Sequence, residues 1–315
     1  IQVGDKVRKM RGQTSEDCEN LKEIRVAANN PKFSSLDGVL FNKTQSLLYR
    51  CPRGKAGDYT IPRGVTSVCP GAFRNCTGLT DVKIPDSVTD IGDLAFYGCT
   101  GLTGVVIPDS VGIIRNSTFR GCRNLKGVQI GKRVTRIQLK AFSGCVSLTY
   151  VEIPKSVSVI WGGAFSGCSG LAELEIPQGV TGIGIYAFDG CIRLRSLKIP
   201  ASVEIVGDRL FRNCRNLTSI LFEGKVPQVV EEEIHDRRAE LSRRRLRDAL
   251  RKKFEDCEEA EECEADVNVF LGCSALKEVY YSAEACNWPK QWQNIPTKAV
   301  SEVTPEPAAE QKKAV

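Results

Sequence analysis

Fourteen cysteines and one histidine set the chemistry open to this chain of 315 residues. Imidazole-based nucleophilic catalysis would have to use His235, which stands in a densely charged stretch. His235, Cys257 and Cys263 fit no common zinc spacing, and no Cys-x-x-Cys pair occurs. Neither a metal nor a cofactor is therefore expected. The chain contains no His-Glu-x-x-His, Walker or calcium-loop motif. Gly182-x-Gly184 in "TGIGIYAF" reads as a turn rather than a dinucleotide loop. Glu152 with Glu173 or Glu175 has the residue types of a hydrolytic dyad. Exposed carboxylates are ordinarily just solvated, however, and no enzyme activity is expected.

The cysteines are instead periodic. Cys76, Cys99, Cys122, Cys145, Cys168, Cys191 and Cys214 recur every 23 residues, as do Phe73, Phe96, Phe119, Phe142, Phe165, Phe188 and Phe211. Leu79 through Leu217 keeps the same step. Ladders in common register identify a stacked repeat, in which each unit contacts its neighbours and the chain lengthens freely. In residues 79–101, Leu79, Val82 and Ile84 point inward from a short strand and Asp81 and Lys83 outward. Pro85 stops the strand. Val88 and Ile91 turn inward again, Phe96 fills the coil and Cys99 closes it. About ten coils make a rod on the order of 45–50 Å long.

Nine cysteines, the seven above with Cys18 and Cys273, hold the same place in successive coils. Their Cβ vectors run parallel rather than converge, which disfavours disulfides. They read as small buried hydrophobes. Among the others a Cys51–Cys69 bridge stays open.

Breaks in the period mark the boundaries. Residues 1–17 read as an N-terminal cap and 18–227 as the solenoid, with a β-hairpin insertion at 37–50 around Asn42-Lys43-Thr44-Gln45. Residues 228–266 read as a charged helical insertion, without Gly or Pro from 231 onward. Ala239, Leu246, Leu250, Phe254 and Cys257 form its thin apolar stripe. Mixed charge marks a solvated helix rather than a nucleic-acid or membrane surface. Residues 231–266 hold nine Arg/Lys and fourteen Asp/Glu, net −5, so the remainder carries 6 + 5 = +11. Residues 267–300 read as the last repeat and C-terminal cap, with Trp288 and Trp292 covering the final coil, and 301–315 as a disordered tail or linker. No apolar run reaches the roughly 18–20 residues of a membrane-spanning helix. With Ile1 in first place and no signal peptide, the chain reads as a mature form or an excised fragment.

"IPDSVTDIGDLAFYGCTGLT" resembles the leucine-rich repeat of the BspA-like class, found on bacterial surface proteins and in some protists. "DGVLFNKTQSLLYRCPRGKAGDYTIPRGVTSV" resembles a segment common at the start of such arrays. The resemblance covers roughly 18–223 and 268–281. It implies an α/β-type repeat solenoid, a right-handed array of short parallel strands with a β-hairpin insertion and a helical insertion. It also implies adhesion or protein binding at a bacterial surface or in secreted form; an intracellular scaffold in the cytoplasm is the alternative.

Repeat arrays bind extended partners on their strand-lined surface. Its outward pairs read Asp81/Lys83, Gly104/Val106, Gly127/Gln129, Tyr150/Glu152, Glu173/Glu175, Ser196/Lys198 and Ser219/Leu221. Tyr150 is the one aromatic among them, beside the acidic Glu152, Glu173 and Glu175. These four are the candidate site for a protein or other surface macromolecule; nucleic acid is not expected. The bland reading is that they are solvated strand positions.

Overall fold

The computed structural model describes residues 1–9, 18–231, 268–285 and 287–300. The coil opened by Leu102 shows the build. Gly104–Val106 is a short strand with Val105 buried and Val106 exposed. It pairs in parallel with Gly127–Gln129 of the next coil, Gly104 opposite Gly127 and Val106 opposite Gln129. Parallel neighbours need a crossover of about a dozen residues or more, and the rest of the coil supplies it. Pro108 ends the strand, and its carbonyl accepts Val111 N at 3.1 Å. The same Pro-x-x-Val turn recurs at Pro85, Pro154, Pro177 and Pro200. The serine before the valine donates one coil back, Ser87 Oγ to Val65 O at 2.8 Å and Ser156 Oγ to Val134 O at 2.6 Å.

Ile113–Ile114 forms a second strand, paired in parallel with Arg136–Ile137. This second row runs on through Val159–Ile160, Gly182–Ile183 and Ile205–Gly207 to Gln228–Val230. The sequence reading placed these residues in an inward turn. Strands of two residues are too short for alternation to register. The α/β expectation is corrected accordingly: among the described residues every regular element is a strand and none is a helix. Two strands and their turns use up the coil.

The third side is a run of turns built on one backbone requirement. Gly98, Gly121, Gly144, Gly167 and Gly190, each just before its cysteine, have φ between +69° and +75°. Asn75 and Asn213 take the same place at +58° and +61°. A Cβ on Gly121 would meet nothing closer than 3.8 Å. The left-handed backbone rather than space therefore selects glycine, and asparagine tolerates it.

Inside, the phenylalanines form one continuous stack. Centroids are 4.9 Å apart at Phe73–Phe96, 5.4 Å at Phe119–Phe142 and 5.9 Å at Phe211–Phe270, with ring planes within 13° of parallel. Each ladder cysteine from Cys99 to Cys273 donates Sγ–H to the phenylalanine carbonyl of the coil before, as in Cys99 to Phe73 at 3.0 Å and Cys145 to Phe119 at 3.2 Å. That carbonyl already accepts an amide, Cys76 N to Phe73 O at 3.0 Å, so the thiol uses its second lone pair. Burial pushes Cys122 and Cys168 up to about 12 and Cys273 up to about 11. The same cause raises Cys99, Cys145, Cys191 and Cys214.

Two cysteine assignments change. Cys18 is exposed, outside the ladder. Cys51, fully buried, stands where a ladder phenylalanine would: Cys76 Sγ donates to Cys51 O at 3.7 Å, and Cys51 N donates to Ala72 O as Phe73 N does to Ala95 O. Cys51 lies 22 residues ahead of Phe73, off the 23-residue period. Cys51 and Cys69 are both free thiols, so the bridge left open is not formed.

The insertion begins earlier than expected and holds two hairpins. Phe33–Leu36 pairs with Val39–Asn42 about Asp37-Gly38, both at positive φ, the Asp-Gly signature of a tight hairpin. Leu47–Arg50 then pairs antiparallel with Val39–Asn42 about the expected turn, and parallel with Ser67–Val68 to join the second row. Gln2–Val3 lies beside Arg25–Val26 over a small core of Val3, Ile24, Phe33 and Leu40.

The charged insertion starts later than expected. Gln228–Val230 is a strand paired with Ile205–Gly207. The remainder of the expected helix, 232–266, lies outside the described residues, as does the tail 301–315. The coil resumes where Asn268 N donates to Asp208 Oδ1 at 2.9 Å. Trp292 meets Phe270 edge-on, centroids 5.7 Å apart, and ends the stack. Trp288 lies on Tyr281 and donates Nε1–H to Gly224 O at 2.9 Å.

Phe142 is fully buried between two rings. Phe142→Ala should cost about 3–5 kcal/mol in chemical denaturation; a loss below about 1 kcal/mol would mean that the stack does not carry the fold. The thiols predict a pH effect. Their folded pKa values lie above the unfolded value near 9, so their contribution is complete below pH 9 and is lost as pH rises toward 12. Each such thiol removes about 1.4 kcal/mol per pH unit over that window. The urea midpoint should hold level from pH 7 to about 8.5 and fall steeply beyond 9. A midpoint unchanged to pH 11, or native alkylation of ladder thiols as fast as that of Cys18, contradicts it.

Candidate functional site

The strand-lined surface is built by registration. Tyr150–Glu152 and Glu173–Glu175 are adjacent parallel strands, with Tyr150 opposite Glu173 and Glu152 opposite Glu175. Val151 turns inward and is buried while Leu174 is half-buried, so all four candidate residues face out. Strand spacing of about 4.8 Å and a rise of about 3.3 Å per residue gather them into one patch. Tyr150 is 48% exposed. Its hydroxyl is raised above the ordinary tyrosine value, first by partial burial, then by the charges of Glu152, Glu175 and Glu173. The three carboxylates therefore act on the same ring. Among the described residues no cation lies within ion-pair distance of them.

The flanks differ in character. Gly127 lies opposite Tyr150 and Gln129 opposite Glu152. Beyond them are Gly104 and Val106, the latter 55% exposed. On the other side Ser196 and Lys198 are exposed. The arrangement presents one aromatic ring inside a fixed field of negative charge, next to a low, uncharged surface.

Two outward assignments change at the far end. Leu221 is 7% exposed rather than open. It sits between Lys198 and Tyr280 in the register, so Tyr280 is a second aromatic in the outward row. The 59-residue interval between Cys214 and Cys273 masked the phase of that strand. Counting from Cys273 rather than Cys214 would have found it. Gly182 and Gly184 are not a ligand loop: Gly182 is in a second-row strand, and a Cβ on Gly184 would meet Gly162 N at 2.4 Å. His235, Cys257 and Cys263 lie outside the described residues. Among the described residues no group of three or more His, Cys, Asp or Glu is arranged to hold a metal. None of their elements is a helix long and apolar enough to cross a membrane.

Comparison with known proteins agrees with this architecture. The family model described as "BspA type Leucine rich repeat region (6 copies)" matches residues 52–172 and 135–236. No curated protein matches the chain. Among solved structures, a leucine-rich repeat protein from Eubacterium ventriosum is 28% identical with a TM-score of 0.51, over 60% of this chain and 58% of that one. The match thus spans less than two thirds of that protein. The leucine-rich repeat protein of T. pallidum is 27% identical with a TM-score of 0.46, over 64% of this chain and 85% of that one. A leucine-rich cell surface protein of Faecalibacterium prausnitzii is 24% identical with a TM-score of 0.40, over 71% and 78%. The family match takes in more than half of the sequence, and the chain belongs to the BspA type leucine-rich repeat family.

Proposed function

We propose that this chain is a non-catalytic binding module that holds a protein or other macromolecule on its strand-lined face, centred on Tyr150, Glu152, Glu173 and Glu175. The observation that carries this reading is the registration of one exposed tyrosine with three carboxylates that have no described counter-ion. Tyrosine is favoured at binding hot spots because it offers a large rigid surface and a polar tip. A chain that is +11 outside residues 231–266 would repel basic partners in general, so a local acidic patch selects where a basic stretch docks. Placement on a bacterial surface or in secreted form accords with the family; a cytoplasmic scaffold is the second reading.

The test is capture of a partner from host extract, followed by affinity measurement with Glu152, Glu173 and Glu175 all changed to lysine. The affinity should fall at least tenfold, about 1.4 kcal/mol, and wild-type binding should weaken as salt rises. Unchanged affinity in the triple variant, with loss on deleting 232–267, would move the site to the insertion and overturn the proposal.

A further inference from the structure

The turn side carries a second feature, far around the coil from the strand-lined face. One row there, two residues before each phenylalanine from Phe73 to Phe211, has positive φ throughout: Gly71, Leu94, Ser117, Lys140, Gly163, Tyr186 and Arg209 lie between +52° and +64°. Five of these positions project a substantial or polar side chain. Gly71 and Gly163 project none; a Cβ on Gly71 would meet Arg74 Cβ at 3.8 Å and Arg50 Nη1 at 3.9 Å, whereas Gly162 beside Gly163 projects none either. The gap opens a depression of about 500 Å³ over the glycine backbone, bounded by Lys140 on one side and Tyr186 and Asp189 on the other. That volume is in the range of small-molecule sites.

The far wall is pre-organised. Tyr186 lies one coil beyond Gly163, and from the coil after it the Arg212 guanidinium stands 4.7 Å from the ring centroid and shares the lining of the depression. Arg209 Nη1 donates to the Tyr186 hydroxyl at 2.6 Å. Asp189 is gripped by Arg212, Nε to Oδ1 and Nη2 to Oδ2, both at 2.9 Å. Its remaining contacts are loose: Ser166 Oγ at 3.5 Å and Asn213 Nδ2 at 3.4 Å. Lys140 is exposed, and its chain leans over Gly163, with Cγ 3.2 Å from where a Cβ would stand. A flexible lysine of this kind can swing aside and cover a ligand.

We propose that this notch binds a hexopyranose ring. A pyranose has one face of weakly positive C–H bonds that complements the negative face of an aromatic ring, here the side of Tyr186 toward Gly163. Its rim of hydroxyls needs fixed acceptors and donors. Asp189 accepts, held in place by Arg212; Ser166 Oγ gives up its long contact to a sugar hydroxyl; and the Lys140 ammonium donates from above. Glycine in the floor lets the ring sit against backbone, as a side chain at 163 would not.

The probes are methyl β-D-glucopyranoside, methyl β-D-galactopyranoside and methyl α-D-mannopyranoside, read by saturation-transfer NMR on the full chain. At least one should show transfer to its ring protons, with millimolar affinity. Gly163→Lys fills the notch with the residue that the same row carries at 140, so the coil should fold; Tyr186→Ala removes the wall. Each should weaken binding at least tenfold with the thermal transition retained, while the lysine changes at Glu152, Glu173 and Glu175 leave it alone. No transfer from any of the three glycosides at tens of millimolar overturns the proposal. So does binding that survives Gly163→Lys, or displacement of the bound glycoside by N-acetyltryptophanamide but not by free sugars, which would make the notch a socket for an aromatic side chain.

Discussion

The hydrogen bonding of parallel strands sets the distance between coils at about 4.8 Å, and every residue inside must accept that distance. An interior position repeats against its own equivalent, so its side chain must be good company for itself. A flat ring is: stacked phenylalanines sit 4.9–5.9 Å apart, inside the range that offset aromatic pairs favour. A buried charge would be poor company, since each copy would face a like charge in a low-dielectric interior. The ring spacing exceeds the strand spacing throughout and is widest at Phe211–Phe270.

The same reasoning accounts for the thiol at the end of each coil. The position lies between rings and offers one carbonyl with a lone pair to spare. Cysteine is small enough to fit, apolar enough to be buried, and a weak donor. Hydroxyl residues do the corresponding work at the coil edges, where a side chain can reach one coil back: Thr135 Oγ1 to Gly112 O at 3.2 Å and Ser158 Oγ to Thr135 O at 3.2 Å. The ladder residues thus bond adjacent coils in addition to filling them. Burial raises their thiol pKa values and so disfavours the thiolate, which is the reactive form.

Much of this was legible from spacing. The three ladders, the inward Val and Ile positions and the strand at 104–106 follow from a period that admits one register. The second strand row was not legible, because two residues such as Ile113–Ile114 are too few to show alternation. Cys51 escaped because it is a cysteine in a phenylalanine's place, 22 residues rather than 23 before Phe73, and Tyr280 because the insertion hides the phase of its strand. The Asp37-Gly38 turn had a readable signature, masked by counting the insertion from it instead of across it. At the candidate site, the sequence set Tyr150 and the three glutamates side by side; the absence of a described counter-ion required coordinates. The Gly163 notch was unreadable for another reason. Gly162-Gly163 looks like any turn until Lys140 and Tyr186 are known to flank it.

The inward rows answer to one constraint and hardly vary, whereas the outward rows are free of it. Recognition in such an array must therefore reside where an outward row departs from its neighbours. The strand-lined row passes from Val106 and Gln129 to Glu152, Glu175 and Lys198, changing charge twice in five coils. The turn-side row is interrupted at Gly71 and at Gly163, the second beside the one aromatic it contains. Neither departure helps the coil to stack: the glutamates face one another without a described cation, and the gap leaves a depression beside Tyr186. Features that the fold does not need, at positions where it leaves choice, are where a partner is most economically recognised.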